Sequence, residues 1–303
     1  MSRLLVLGNA GLDISLPVPR LPGPGETLVG GMAVRAPGGK GLNQATVAAR
    51  SGLVPVGFCA PVGEDGEGRE IARRLRAEDF AVLNLPATAA ATDLSVLLVS
   101  PDGENSIVTS GGCAAGFSPG AAAAFAAGLA AGDWLLLQGN LGAAATLAAL
   151  EAAASRGARV MLNTAPLEPA LLGAGARSLL ARCAVVVANG VEARALTGED
   201  GPAAVLALRR LGAARAVVTL GGQGCLLDEG EAARHIPAPA ARVVDTTGAG
   251  DTFCGLLAAL LAAGRSLEAA VVPAQHAAAL SVARPGAFAA LPSTAELRAL
   301  VAT

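Results

Sequence analysis

Short apolar runs rich in Val and Leu recur along this 303-residue chain, at Leu4–Leu7, Val54–Cys59, Leu94–Val99, Trp134–Leu137, Ala158–Leu162, Ala184–Val187, Ala216–Leu220 and Gly224–Leu227. Most are separated by Ala-, Leu-, Arg- and Glu-rich stretches of helical period: Gly41–Ser51, Glu67–Asp79, Gly142–Arg156, Glu192–Leu196, Pro202–Leu211, Asp251–Ala263 and Leu267–Val282. A strand that is apolar at every position is buried on both faces. The alternation therefore predicts an α/β fold, a mainly parallel sheet covered by helices on both sides. No linker, charge block or fixed-period repeat divides the chain, so residues 1–303 read as a single domain. Two segments break the pattern. Residues 12–37 carry five prolines, and residues 91–110 place a turn, Pro101–Glu104, between two short apolar runs. Both read as antiparallel excursions forming a small β lid over a cleft.

Composition narrows the class. Hydrophobic residues make up 53% of the chain and mean hydropathy is +0.54. Yet there are six Phe, one Trp and no Tyr, and roughly a quarter of the residues are Ala. Small side chains do not supply the continuous bulky surface that a bilayer requires, and the first residues are too short a run for a signal peptide. A cytoplasmic protein without a membrane partner is expected. The net charge of −2 and the absence of a basic cluster longer than Arg73–Arg76 argue against a nucleic-acid surface. Five scattered Cys without a C-x-x-C pair fit reduced thiols, and with only two His a zinc or His-ligated site is disfavoured. Among the 22 Lys and Arg residues, Lys40 is the single lysine.

Two segments could carry chemistry. In Val244–Phe253, with Gly248 and Gly250 before an apolar helical stretch, the glycines permit close backbone approach to a ligand and the helix start leaves N–H groups free for an anion. Asp251 there has two readings: a helix N-cap, or a general base that takes the proton of a substrate hydroxyl while the N–H groups stabilise a transferred phosphoryl group. In Pro37–Ala45, Lys40 and Asn43 lie among Gly38, Gly39 and Gly41 at a helix start. That is a Gly-rich turn, or a cradle for hydroxyl or phosphate groups. It is not a Walker A loop, because Gly41 stands where Ser or Thr is required, and no strand-linked G-x-G-x-x-G appears.

Together, G-G-K-G-x-N-Q-A near residue 40 and D-T-T-G-A-G-D-T-F near residue 250 closely resemble the two signatures of the ribokinase, or phosphofructokinase B, family of sugar kinases. Asn163–Pro166, Asn189–Ala193 and Thr219–Gly224 resemble further family segments, as does Leu7–Asp13, so the resemblance runs essentially end to end. It implies a three-layer αβα sandwich with a β lid. It also implies that Asp251 is the catalytic base, and that Gly248, Ala249 and Gly250 form the anion hole. Asn189 and Glu192 would organise Mg²⁺ and the phosphates, largely through water. Thr219, Leu220, Gly221, Gly222, Gln223 and Gly224, with Gly250, would line the ATP site, and Gln275 would lie near the base or ribose. Asp245, Thr247, Ser281, Arg284 and Gly286 match a K⁺ site, partly through main-chain carbonyls. Asp13, Gly39, Lys40 and Asn43, with Asp251 and Asn140, match sugar-contacting positions. Read as bare structure, Asn189–Gly190 is a turn and Glu192 an exposed helix residue.

Departures from the family pattern concern the acceptor. Gly11 stands in place of a sugar-binding Asn and leaves room for a bulkier substituent, and Asn140 stands in place of a sugar-contacting Glu. The leading expectation is ATP-dependent phosphorylation of D-ribose to ribose 5-phosphate by a homodimer paired through its lids. Kinases of another pentose, a ketohexose or a nucleoside are alternatives within the family. A non-catalytic sugar or nucleotide sensor is the alternative outside the enzyme class, and an NAD-linked dehydrogenase lacks its fingerprint.

Overall fold

The computed structural model of this protein describes residues 2–101, 105–166, 173–230 and 232–302. Its centre is a nine-stranded sheet in the spatial order Arg234–Ile236, Cys225–Asp228, Ala216–Thr219, Val185–Asn189, Arg159–Asn163, Trp134–Gln138, Leu4–Leu7, Val56–Cys59 and Val82–Asn84. All neighbours pair in parallel except at one edge, where Cys225–Asp228 is antiparallel to both of its neighbours.

The apolar strands owe their composition to two cores. Leu4, Val6, Trp134, Leu136, Val185 and Val187 face one core, with the helices Lys40–Ser51, Ala249–Ala262 and Leu267–Val282. Their sequence neighbours Leu5, Leu7, Leu135, Leu137, Val186 and Ala188 face the other, with Pro119–Ala126, Ala143–Ser155 and Gly201–Arg210. Successive side chains point to opposite faces, so burial on both sides removes the polar half of the usual alternation. The result is the expected three-layer sandwich. Alanine supplies much of the helix contact: Ala45, Ala48, Ala258, Ala259 and Ala262 are all buried in the first core. Helix-to-helix approach is closest at Gly255, where a Cβ would lie 2.4 Å from the Gln44 carbonyl oxygen. Among the described residues, no helix is long and apolar enough to cross a membrane.

The lid is a four-stranded sheet in the order Val34–Gly38, Gly11–Pro17, Asp93–Val99, Asn105–Ser110. It is not wholly antiparallel as the sequence suggests. Gly11–Pro17 and Asp93–Val99 leave the main layer in the same direction and pair in parallel, while the outer pairings are antiparallel. Within the expected turn at Pro101–Glu104, residues 102–104 lie outside the described residues. The helices expected from Gly41 and Asp251 start one and two residues earlier, at Lys40 and Ala249.

Candidate active site

The carboxyl ends of the parallel strands deliver a row of polar residues to one edge of the sheet: Gly8 and Asn9 after Leu7, then Gln138, Asn163, Asn189 and Thr219. Open α/β sheets bind ligands at that edge. The helices Lys40–Ser51 and Ala249–Ala262 begin there. A single cleft is lined by Lys40, Asn163, Asn189, Glu192, Thr219, Gly250, Asp251 and Cys254.

Asp251 is buried at 7% exposure and does not cap its helix. The N-cap is Gly248, at φ 80°, and Asp251 occupies the third helical position. That left-handed conformation suits glycine. Released from capping, the carboxylate accepts from Asn43 Nδ2 at 3.2 Å and from Gln44 Nε2 at 2.9 Å. Of the three residues expected to form an anion hole, Ala249 has no free N–H. The Ala249 N–H is already donated to the Thr246 carbonyl at 3.2 Å. The N–H groups of Gly248, Gly250 and Asp251 have no hydrogen-bond partner among the described residues, so these three are free to meet an anion at the positive end of the helix dipole.

At the lysine loop the expected set of free N–H groups is reduced. Asn9, which the motif reading passed over, caps the helix from outside. Its Oδ1 accepts from Gly41 N at 3.2 Å and its carbonyl from Leu42 N at 3.0 Å. The loop also brings the Lys40 ammonium to the cleft. The charge of Asp251 raises its pKa above the ordinary lysine value, with Glu192 and Cys254 adding and burial opposing. Lys40 thus stands in the same cleft as Asp251 and Glu192.

The lid supplies Asp13, whose pKa is raised to about 6 by burial, with a hydrogen bond from Ser95 opposing and the Asp251 charge adding. A Cβ on Gly38 would lie 2.1 Å from Asp13 Oδ2, so only glycine fits beneath that carboxylate. Gly11 does not open space in the pocket, contrary to the sequence reading. A Cβ there would meet the Asp93 carbonyl oxygen at 2.6 Å, because the parallel lid pairing sets Gly11 beside Asp93. Asn140 donates through Nδ2 to Asn9 Oδ1 at 2.6 Å. Since Asn9 Oδ1 already accepts from a backbone N–H, Asn140 must donate there, and its own oxygen is the free end. Asn140 Oδ1 and Asn43 Oδ1 are both buried without a partner among the described residues. Unpaired buried acceptors cost about 1–3 kcal/mol each, a deficit that donors on a bound polyol would remove.

Asn189 and Glu192 are both structural and accessible to the cleft. They form a capping box: Asn189 Oδ1 accepts from Glu192 N at 2.9 Å, and Glu192 Oε2 accepts from Asn189 N at 3.0 Å. Glu192 also accepts from Asn189 Nδ2 at 2.7 Å and from Thr164 Oγ1 at 2.9 Å. Among the described residues no group of three or more His, Cys, Asp or Glu is placed to hold a metal ion. With both oxygens so occupied, Glu192 suits Mg²⁺ held through water rather than by direct ligation.

In the nucleotide segment, Thr219 ends a strand, Leu220 leads into a short 3₁₀ turn over Gly221–Gln223, and Gly221 and Gly222 are open to ligand. Gly224 has a packing role, since a Cβ there would meet the Ile236 carbonyl oxygen at 2.1 Å. Gln275 supports the same strand pair: its Nε2 donates to Ile236 O at 3.1 Å. That bond ties Gln275 to the edge strand Arg234–Ile236, which pairs with the strand following the nucleotide segment.

Beside the anion hole, Asp245 ties two loops together. Its Oδ1 accepts from Thr247 N and Oγ1 at 2.9 and 2.7 Å, and its Oδ2 from Gly286 N at 2.8 Å. Burial opposes ionisation, but these hydrogen bonds outweigh it and hold Asp245 below the ordinary carboxylate range. A carboxylate kept ionised where two loops meet suits a monovalent cation. Two members of the expected set are repositioned. Ser281 lies in the last turn of Leu267–Val282, its hydroxyl donating to Ala278 O and its carbonyl accepting from Arg284 N. The Arg284 guanidinium, which carries donors only, pairs with Glu296, and the residue could meet a cation through its carbonyl alone.

Sequence reasoning missed Asn9, Gln138, Asn163 and Thr164 as site-builders, and quoted Gln44 without giving it a role. The available signal was that three adjacent strands end their apolar runs on an amide, at Gln138, Asn163 and Asn189.

The profile of the pfkB family carbohydrate kinases matches residues 1–294. A ribokinase of Haemophilus influenzae is 32% identical over 300 residues, covering 97% of this chain and 96% of that protein. Among solved structures, ribokinase from Thermotoga maritima is similar with a TM-score of 0.85 at 27% identity, covering 100% of both chains. Arabidopsis thaliana ribokinase complexed with ribose and ATP is similar with a TM-score of 0.83 at 28% identity, covering 99% of each chain.

Proposed function

The chain belongs to the pfkB family of carbohydrate kinases and is an ATP-dependent sugar kinase; from that premise we propose that its acceptor is D-ribose, phosphorylated on the primary hydroxyl to ribose 5-phosphate. One observation carries the mechanism: a buried carboxylate, gripped by two amides, stands where a helix start presents unpaired N–H groups. Asp251 takes the proton of the primary hydroxyl as its oxygen attacks the γ-phosphorus. The new P–O bond forms while the bond to the β-phosphate oxygen breaks, leaving its electron pair on ADP. The Gly248, Gly250 and Asp251 N–H groups and the Lys40 ammonium hold the charge of the group in transit. Asp13, Asn43 and Asn140 pair with sugar hydroxyls, and the exposed Gly221–Gly222 turn receives the nucleotide.

Mg²⁺ bound to ATP and K⁺ beside the anion hole would neutralise phosphate charge. Glu192 through water, and Asp245 with the carbonyls of residues 283–286, are the residues suited to hold them. Homodimerisation through the lid belongs to the same reading. Val96 and Val108 are exposed on one face of its sheet, Val34 and Ile107 on the other, and Val29 and Met32 in its loop, apolar area that a second copy would cover. Five unpaired, buried thiols support a reducing compartment such as the cytoplasm.

The test is an ADP-release assay over pentoses, ketohexoses and nucleosides, with Asp251→Asn as control. Ribose should give the highest kcat/KM, and Asp251→Asn should lose at least about a thousandfold in kcat while still binding ATP and sugar. A better ketohexose or nucleoside would overturn the acceptor, and a fully active Asp251→Asn the mechanism.

A further inference from the structure

Gln44, one of the two amides that grip Asp251, is itself held by a chain of buried amides. Gln138 Nε2 donates to Gln44 Oε1 at 2.8 Å, and Gln44 Nε2 donates both to Asp251 Oδ1 at 2.9 Å and to Asn163 Oδ1 at 3.0 Å. Asn163 Nδ2 in turn donates to the Val187 carbonyl at 3.3 Å. Gln44 and Gln138 are fully buried and Asn163 is 7% exposed. An amide can ordinarily be reversed, exchanging its donor and acceptor ends. Here it cannot. Val187 O only accepts, which forces Asn163 to donate there and to present its oxygen to Gln44. Gln44 must then turn its NH₂ toward Asn163 and Asp251, and its oxygen accepts from Gln138. A backbone carbonyl in the central sheet thus dictates that Asp251 meets a donor.

We propose that Gln44 is the positioning residue for Asp251, and that Gln138 and Asn163 act through it to fix the direction of its amide. The inference rests on the reading of Asp251 as the base. A carboxylate turns about two bonds, Cα–Cβ and Cβ–Cγ, so one buried beside a substrate needs its orientation set by the protein. A base misdirected by a fraction of an ångström loses rate without losing substrate affinity. Asn43 holds only Oδ2, at the longer distance of 3.2 Å, so Gln44 supplies the second point that stops rotation. Gly8 leaves room for the far end of the chain, since a Cβ there would lie 2.0 Å from Gln138 Oε1.

The experiment compares Gln44→Met and Gln138→Met, which keep length and remove the amide, with wild type and Asp251→Asn. Gln44→Met should lower kcat at least about tenfold while calorimetric Kd values for ribose and for ATP change less than about twofold. Gln138→Met, which does not touch Asp251, should lower kcat by a smaller factor with the same unchanged affinities. Weakened ligand binding with kcat preserved, or wild-type kcat in both variants, overturns the proposal. Should Gln44→Met fail to fold, Gln138→Met decides alone. If Asp251→Asn is inactive and both methionine variants are unimpaired, only the positioning role fails. If Asp251→Asn is fully active, the base assignment itself fails.

Discussion

Burial of Asp13 in the lid makes the enzyme's use of sugar pH-dependent in a window where an ordinary aspartate would be silent. Its pKa moves from 3.8 to about 6. With that value the side chain is about nine-tenths ionised at pH 7 and about one-tenth at pH 5, whereas at 3.8 it would still be about nine-tenths ionised at pH 5. A carboxylate accepts hydrogen bonds from two hydroxyls, and its protonated form gives up one acceptor, so kcat/KM for the sugar should fall about tenfold between pH 7 and pH 5. Stability moves the other way. The folded-state pKa lies above the unfolded one, so the native chain holds this proton more tightly. That contribution is fully present below about pH 4 and is lost as pH rises through 6. The shift of about two units sets an upper figure of about 3 kcal/mol at pH 8. Asp13→Asn, uncharged and of the same shape, should therefore melt above wild type at pH 8, with the gap closing below pH 4, while losing sugar turnover. Steady-state kinetics at limiting sugar from pH 5 to 8 and calorimetric melting of both proteins test this. A flat profile down to pH 5, or a limb near 6 that survives in Asp13→Asn, would refute the burial argument.

Lys40→Arg retains charge but puts a wide planar fork where a compact ammonium stands among Asp251, Glu192 and Cys254. We expect at least a tenfold loss of kcat/KM, about 1.4 kcal/mol, with the fold intact; unchanged kinetics would return the single lysine to coincidence. Gly255→Ala pushes a methyl group against the Gln44 carbonyl and separates the helices that carry Gln44 and Asp251. Thermal unfolding should show a loss of about 1–3 kcal/mol accompanied by a lower kcat. Exchanging K⁺ for tetramethylammonium should reduce kcat, and Asp245→Asn should blunt that dependence; equal rates in the two salts would remove the cation site. Light scattering at micromolar concentration should give a dimer, and Val108→Glu a monomer; a wild-type monomer would exclude lid pairing.

The inner strands were legible because each is buried on two faces and so spells an unbroken apolar run, as Leu4–Leu7 and Trp134–Leu137 do. The exposed edge strands Val82–Asn84 and Arg234–Ile236 spell none and were missed, as were the helices Pro119–Ala126 and Ala174–Leu180. Asp251, Lys40 and Asn43 were legible because glycine next to a lone charged or amide side chain at a helix start is a local arrangement. Other features depended on distant partners. Whether Asp251 caps its helix was decided by Gly248 taking the N-cap and by two amides from a helix some 200 residues earlier in the chain. The role of Gly11 was decided by Asp93 in the neighbouring lid strand, and the fate of the Gly41 and Leu42 N–H groups by Asn9. The sequence by itself determined which residues have the chemistry to transfer a phosphoryl group, since side-chain type and local turn geometry are properties of short segments. Tertiary structure alone decided where each donor points. The sheet gathers Gln138, Asn163 and Val187 O beside Gln44, and a buried amide takes its direction from the partner that cannot reverse.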